Sequence, residues 1–152
     1  MISRANKGIL YPENPHIDIT LKKEINLPAV IEVPCKAYRF CKDELDKIFS
    51  ELKCKPQNIF VLGVLKKGKI SFDDAFTIYT NSDCPIRYDS LVENDDVCSE
   101  EYCAEILLPY TDTLFPDVPV YQFLSNTNSD DMKSFVSYLK ENYPKSIFFI
   151  SL

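Results

Sequence analysis

The sequence is poor in glycine and histidine and lacks tryptophan: 3 glycines and 1 histidine occur among its 152 residues. With so few glycines, the chain cannot build the glycine-rich loop that holds phosphates in nucleotide-binding enzymes. A nucleophile activated by histidine would depend on His16, which lies in a polar, proline-flanked stretch. No apolar run approaches the roughly 20 residues of a membrane-spanning helix. These absences argue against phosphate-loop enzymes, histidine-dependent hydrolases and a membrane span.

Basic residues are scarce in the middle of the chain. The formal net charge is -6, which argues against general nucleic-acid binding, because a basic face is needed to displace counterions from phosphates. Residues 71–118 hold 12 acidic residues and one basic residue, Arg87, a net charge of -11. Such a segment favours a basic protein partner, whose association would be steered by charge.

Six cysteines are present, at positions 35, 41, 54, 84, 98 and 103. They include no Cys-x-x-Cys pair, and the spacings Cys35-x5-Cys41 and Cys98-x4-Cys103 are unusual for zinc ligands. We therefore expect no metal site and no cofactor. Since the N-terminus has no apolar segment of signal-peptide length, we expect a cytoplasmic protein whose cysteines are reduced thiols.

Apolar spacing predicts two helices, over residues 42–54 and about 129–142. Each has a stripe at i, i+3, i+4 and i+7, formed by Leu45, Ile48, Phe49 and Leu52 in the first and by Met132, Phe135, Val136 and Leu139 in the second. Seven segments are predicted as strands: 17–21, 29–33, 59–65, 70–80, 101–108, 120–124 and 146–152. The turn at 66–69 would join the third and fourth of these strands as a hairpin.

The order strand, helix, proline and strand occurs twice. The helix stripes match at an offset of 87 residues, and the following proline and strand match at 88, with Ile59 on Ile147. We interpret this as an internal duplication, although any two β-α-β pieces share part of the pattern. The prediction is an α+β fold with tandem β-α-β(β) units, about 16–110 and 119–152, in one mostly antiparallel sheet with two helices on one face. Residues 1–15 would form an arm before a single domain over 16–152.

Three stretches also carry a family resemblance: 28–33 before the first helix, 76–79 with Arg87-Tyr88-Asp89, and 101–109. Together they resemble the gyrase-inhibitor-like effector-binding domains, which also form the drug-sensing part of some MerR-type regulators. The resemblance implies a groove between the repeats that holds cationic or aromatic ligands. The residues it implies as ligand-binding are Glu105 as the acid and Tyr79, Tyr38, Tyr102 and Tyr121 as walls.

Glu105 has two interpretations at this point. It is predicted inside an apolar strand, and strand alternation could place it on the solvent face. Otherwise it would face the groove, where a carboxylate is costly unless a cation or hydrogen-bond donors meet it.

Two functions from different classes fit the sequence. The first is a stand-alone small-molecule-binding domain that uses the groove between the repeats. The alternative is a protein-interaction or inhibitor module whose acidic 71–118 surface meets a basic partner. Adjacent acids such as Asp73-Asp74 are typical of solvated loops, so we favour a binding protein over an enzyme and nominate no catalytic residue. The oligomeric state stays open.

Overall fold

The computed structural model describes residues 17–65, 76–99, 103–126 and 130–151. Within these residues the strands are β1 (Ala29–Glu32), β2 (Asn58–Val64), β3 (Ile78–Thr80), β4 (Leu91–Glu93), β5 (Val120–Ser125) and β6 (Ser146–Ser151). The helices are α1 (Tyr38–Ser50), α2 (Asp95–Ser99), α3 (Leu108–Leu114) and α4 (Asp130–Asn142). The predicted arm at 1–15 and the predicted turn at 66–69 lie outside the described residues.

The two long helices form where apolar spacing predicts them. In α4, Asp130 and Asp131 lie in the first turn and Lys140 in the last, where their charges complement the helix dipole. α1 begins and ends four residues earlier than predicted. It ends early because the backbone N–H of Lys53 donates to the carbonyl of Lys23 at 2.9 Å. This hydrogen bond with the segment before β1 replaces a further helical turn.

The strands form one mixed sheet in the order β1-β6-β2-β5-β3-β4. The α+β class is therefore confirmed. The prediction of a mostly antiparallel sheet is wrong, because among the described strands only β3 and β5 pair antiparallel. The reason lies in the connections: a helix between two strands returns the chain to its starting end, so the next strand runs parallel. All six residues of β5 are buried, as is typical of parallel strands covered on both faces.

The prediction that both helices pack on one face is also wrong. From β1 to β2 the chain moves across the sheet past β6, and from β5 to β6 it moves back past β2. Right-handed crossovers that run in opposite directions place their helices on opposite faces. The packing shows this arrangement, because α1 contributes Leu45 and Phe49 to one core while α4 contributes Phe135 and Leu139 to another.

Each face of the sheet therefore has its own hydrophobic core. The first core lies under α1 and includes Leu45, Phe49, Ile59, Val61, Ile106, Tyr110, Ile147 and Phe149. The second core lies under α4 and includes Phe60, Leu62, Ile78, Phe123, Phe135, Leu139 and Phe148. Alternate residues of β2 and β6 enter opposite cores, as the two-residue period of a strand requires.

The strand order has a pseudo-two-fold arrangement about a line between β6 and β2. A rotation about this line exchanges β1 with β5, α1 with α4, and β2 with β6. The rotation also exchanges the two faces of the sheet. Ile59 faces α1, so the residue of β6 that is equivalent to Ile59 must face α4. Ile147 is instead the sheet neighbour of Ile59 and lies in the same core. The offset of 88 found in the sequence is therefore not the structural register, because it matches residues of β2 and β6 that face the same core.

Three other predicted strands differ from the structure. Residues 17–21 form no strand. The predicted hairpin between 59–65 and 70–80 is wrong, since β2 lies between β6 and β5 while β3 pairs with β5. The described part of 101–108 is a turn that leads into α3. Pro109 lies in the first turn of that helix, where its missing N–H leaves no helical hydrogen bond unmade.

Candidate functional site

The structure does not bring the predicted ligand residues together. Tyr38 begins α1 and packs against the first core, whereas Tyr121 contributes to the second core. Tyr79 lies in the middle of β3 and packs with a separate small cluster around Leu124. Tyr102 lies outside the described residues. Because Tyr38 and Tyr121 are on opposite faces of the sheet, they cannot line one groove.

Glu105 lies in the turn before α3 and not in a strand. Its neighbours Ala104 and Ile106 belong to the first core, and Glu105 itself is only 2% exposed. Its backbone carbonyl accepts a hydrogen bond from the N–H of Leu108 at 3.3 Å. A carboxylate buried in this way cannot line an open groove. Glu105 therefore lies neither on the solvent face of a strand nor in a groove, the two positions that the sequence predicts.

The aromatic residue that sequence reasoning missed on this side is Tyr110. It is fully buried, and its ring stacks on Phe49 with centroids 4.5 Å apart. Its hydroxyl donates to Oδ1 of Asp46 at 2.5 Å, while Nζ of Lys42 contacts Oδ2 of the same carboxylate at 2.7 Å. Burial, together with hydrogen bonds to Asp46 and Tyr38, raises the pKa of Tyr110 well above its usual range. The hydroxyl is thus a neutral donor that clamps α3 to α1.

The expectation of reduced thiols is wrong for one pair of cysteines. Cys35 and Cys103 form a disulfide, with their Cα atoms 5.0 Å apart. The free cysteines within the described residues are Cys41, Cys54, Cys84 and Cys98. Burial raises the pKa of Cys54 to about 11 and also raises that of Cys41 and of Cys84. These thiols therefore remain protonated at neutral pH.

A pocket with chemically varied walls opens beside β3 and β4, and we call it the edge pocket. Its volume is about 320 Å³. It is lined by Thr80, Cys84, Ile86, Arg87, Tyr88, Leu91 and Glu93. Thr80 ends β3, Leu91 and Glu93 belong to β4, and the other lining residues come from the loop between these strands. The pocket thus contains one aromatic ring, one carboxylate and one guanidinium group.

Contacts with α4 hold the loop that forms the edge pocket. The ring of Tyr88 packs on Phe135 and Tyr138, with centroids 4.8 and 5.0 Å apart. The Tyr138 hydroxyl donates to the Arg87 carbonyl at 3.0 Å. At the start of the loop, the backbone N–H of Ser82 donates to the Asp95 carboxylate at 2.9 Å and holds the pKa of Asp95 below its usual range. These contacts fix the shape of the loop that lines the pocket.

The surroundings of the edge pocket are negatively charged. Residues 76–99 contain five acidic residues and one basic residue, Arg87, which gives a net charge of -4. The Nη1 group of Arg87 donates to the carbonyls of Cys84 and Ile86 at 3.4 and 3.3 Å. Glu93 is exposed and makes no ion pair with another described residue. Arg87 likewise makes no ion pair with another described residue, so the lining carries one available charge of each sign within acidic surroundings.

A second cavity of about 350 Å³ lies beside β1, at the opposite edge of the sheet. Its walls are mainly aliphatic and include Ile25, Val30 and Ile48, with Lys23 and Glu51 among the lining residues. Its lining includes no aromatic ring, so it lacks the cation-binding surface that the edge pocket has in Tyr88.

Comparison with known protein families finds no matching family, and comparison with curated proteins finds no significant match. The resemblance to gyrase-inhibitor-like domains therefore stays a prediction. Among the described residues, no helix has the length and apolar character needed to cross a membrane.

Proposed function

We propose that this chain is a small-molecule-binding domain that holds a positively charged aromatic ligand in the edge pocket. The observation that carries the proposal is the presence of an aromatic ring, Tyr88, and a free carboxylate, Glu93, in one cavity of about 320 Å³. That volume lies at the lower end of the range for small-ligand sites, roughly 300–1,000 Å³.

The walls of the edge pocket offer four kinds of contact to such a ligand. The Tyr88 ring attracts a cation through its negative face, and Ile86 and Leu91 supply apolar area. Glu93 pairs with the positive charge. The Thr80 hydroxyl donates its hydrogen to the Gln122 carbonyl at 2.8 Å, so it faces a ligand as an acceptor. Most of these groups favour a ligand that is cationic or donates hydrogen bonds.

This proposal keeps the ligand class that the family resemblance implies and changes the residues that hold it. Glu93 takes the role predicted for Glu105, and Tyr88 takes the role predicted for the other tyrosines. Tyr88 belongs to the stretch Arg87-Tyr88-Asp89, which is part of that resemblance. We also keep the cytoplasmic location as a prediction, on which the pocket argument does not depend.

Replacing Glu93 by glutamine is expected to weaken binding of a cationic acridine dye about two- to five-fold, the range for an exposed ion pair. The dissociation constant would be measured by fluorescence titration at low salt. The control is Asp117→Asn, which removes the same charge from an exposed residue outside the edge pocket. Equal weakening by both substitutions, or none by Glu93→Gln, contradicts the proposed site.

The alternative function, a basic protein partner, has its own supporting observation. β4 is an edge strand, and its Val92 is 46% exposed between the exposed acids Asp89, Glu93 and Asp95. An apolar side chain among carboxylates fits a lysine-rich extended segment. The rest of the predicted acidic surface includes residues 71–75 and 100–102, which lie outside the described residues.

We expect a lysine-rich peptide, if it binds this edge, to dissociate several-fold more readily at 300 mM salt than at 50 mM, because screening weakens exposed charge pairs. Val92→Ser should weaken binding further at fixed salt. Fluorescence anisotropy with a labelled peptide measures both effects. Binding that responds to neither change excludes this surface as the site.

A further inference from the structure

The disulfide joins two irregular segments and not two regular elements. Cys35 lies in the loop from β1 to α1, and Cys103 lies in the turn before α3, 68 residues later in the chain. We infer that this disulfide is a redox-reversible cross-link, opened by a dithiol that attacks the sulfur of Cys35. The inference is independent of the proposed ligand site, since neither cysteine lines the edge pocket.

The two cysteine residues differ in their exposure to solvent. Cys35 is partly exposed, whereas Cys103 is only 6% exposed and precedes the buried residues Ala104 and Glu105. Thiol–disulfide exchange needs an in-line approach of a thiolate to one sulfur. The reductant can reach Cys35, and Cys103 is then the leaving group.

The exchange balances as a two-electron reduction. One thiolate of the dithiol bonds to Sγ of Cys35, and the Cys35–Cys103 bond breaks with its electron pair on Sγ of Cys103, which then takes a proton. The second thiolate of the reductant then attacks the reductant's first sulfur, which is bonded to Sγ of Cys35 in the mixed disulfide. This step releases Cys35 as a thiolate, which also takes a proton. The protein gains two thiols, and the dithiol becomes a disulfide.

The elements on both sides of the cross-link have other attachments. The backbone N–H of Val33 donates to the Ile150 carbonyl at 3.0 Å, which holds the end of β1 to β6. On the other side, Tyr110 fixes α3 to α1 through Asp46. Opening the disulfide should therefore release residues 34–37 from the turn at 103–107 while the sheet stays folded.

The other cysteines do not compete for the reagent in the folded protein. Cys41, Cys84 and Cys98 are buried, and the raised pKa of Cys54 keeps its thiol protonated. Reaction in the native state therefore reports on Cys35 and Cys103.

Two single variants distinguish the sulfurs. Cys103→Ser leaves a thiol at Cys35, and Cys35→Ser leaves one at Cys103. We expect glutathione disulfide to modify Cys103→Ser at least tenfold faster than Cys35→Ser, with the modified residue identified by mass spectrometry. Equal rates, or faster reaction of Cys35→Ser, overturn the assignment of Cys35 as the attacked sulfur.

Reduction of the wild-type protein tests reversibility. We expect the rate to rise in proportion to dithiothreitol concentration under native conditions, and the midpoint of thermal unfolding to fall by about 10–15 °C after reduction. Circular dichroism should show an unchanged fold, and glutathione disulfide should restore the original midpoint. The double variant Cys35→Ser/Cys103→Ser serves as the permanently open reference. A rate that reaches a plateau set by global unfolding, or loss of the fold on reduction, overturns the inference.

Discussion

Replacing Phe49 by alanine is expected to lower the free energy of unfolding by about 3–5 kcal/mol, the range for a large buried side chain. Phe49 has no exposed surface. Its ring stacks on Tyr110 at 4.5 Å and packs on Phe149 at 5.2 Å. The substitution would remove contacts to α3 and β6 at once, and the sheet beneath is too rigid to fill the cavity completely.

The matched control is Phe40→Ala on the same helix. Phe40 is 68% exposed, and the Arg39 guanidinium lies 4.6 Å from the centroid of its ring. We expect a change within about 0.5 kcal/mol, since alanine also has the better helix propensity. Urea denaturation of both variants measures the difference. Similar losses for the two phenylalanines would mean that α1 packs through a different face.

The position and inner face of each long helix could be predicted from the sequence. The spacing of Leu45 and Phe49 in α1, and of Met132 and Phe135 in α4, depends only on the helical period. Such local signals can be recognised without knowing which strands each helix packs against. The helix ends were less accurate, because the end of α1 depends on the hydrogen bond between Lys53 and Lys23, which are far apart in sequence.

The direction of the sheet and the sides occupied by the helices could not be predicted in the same way. β6, the last strand in the chain, inserts between β1 and β2, and no local pattern encodes that insertion. One local signal does bear on the sheet: the continuous apolar run in β6, from Ile147 to Ile150, is typical of a strand buried on both faces. That pattern conflicts with the prediction that both helices pack on one face of the sheet and leave the other face uncovered.

The functional residues show the same limit. The apolar run around Glu105 predicts a strand, whereas Pro109 four residues later is typical of the first turn of a helix, which is what the structure has. The proximity of Cys35 and Cys103 depends on where the turn before α3 lies relative to the loop from β1 to α1, and it could not be deduced from spacing. Tyr88 was part of the family resemblance, but its pairing with Glu93 in one pocket required the loop geometry.

The second large effect concerns Tyr110. Tyr110→Phe is expected to lower the free energy of unfolding by about 1–2 kcal/mol at pH 8, because it removes a buried hydrogen bond to a carboxylate. The Asp46 carboxylate is 33% exposed and keeps its contact with Lys42, so water compensates part of the loss. A double-mutant cycle with Asp46→Asn should give a coupling of about 0.5–2 kcal/mol. Additive losses would show that the hydroxyl and the carboxylate act independently.

The same substitution should change the pH dependence of stability. The fold raises the pKa of Tyr110 above its unfolded value, which is about 10. The stabilisation from its neutral hydroxyl is therefore complete below pH 10. It is lost as the pH rises above 10, because the unfolded chain ionises Tyr110 while the folded chain does not. The loss amounts to about 1.4 kcal/mol for each pH unit.

Urea denaturation of wild type and Tyr110→Phe at pH 8 and at pH 11 separates this contribution from that of the other tyrosines, which both proteins share. We expect the stability advantage of wild type to shrink by about 1.4 kcal/mol between the two values, since only wild type can ionise at this position. Tyr138→Phe is the comparison for an exposed hydroxyl, whose bond to the Arg87 carbonyl lies at the surface. A wild-type advantage that stays constant from pH 8 to pH 11 would mean that the Tyr110 hydroxyl titrates alike in both states, which contradicts its role as a neutral donor between α3 and α1.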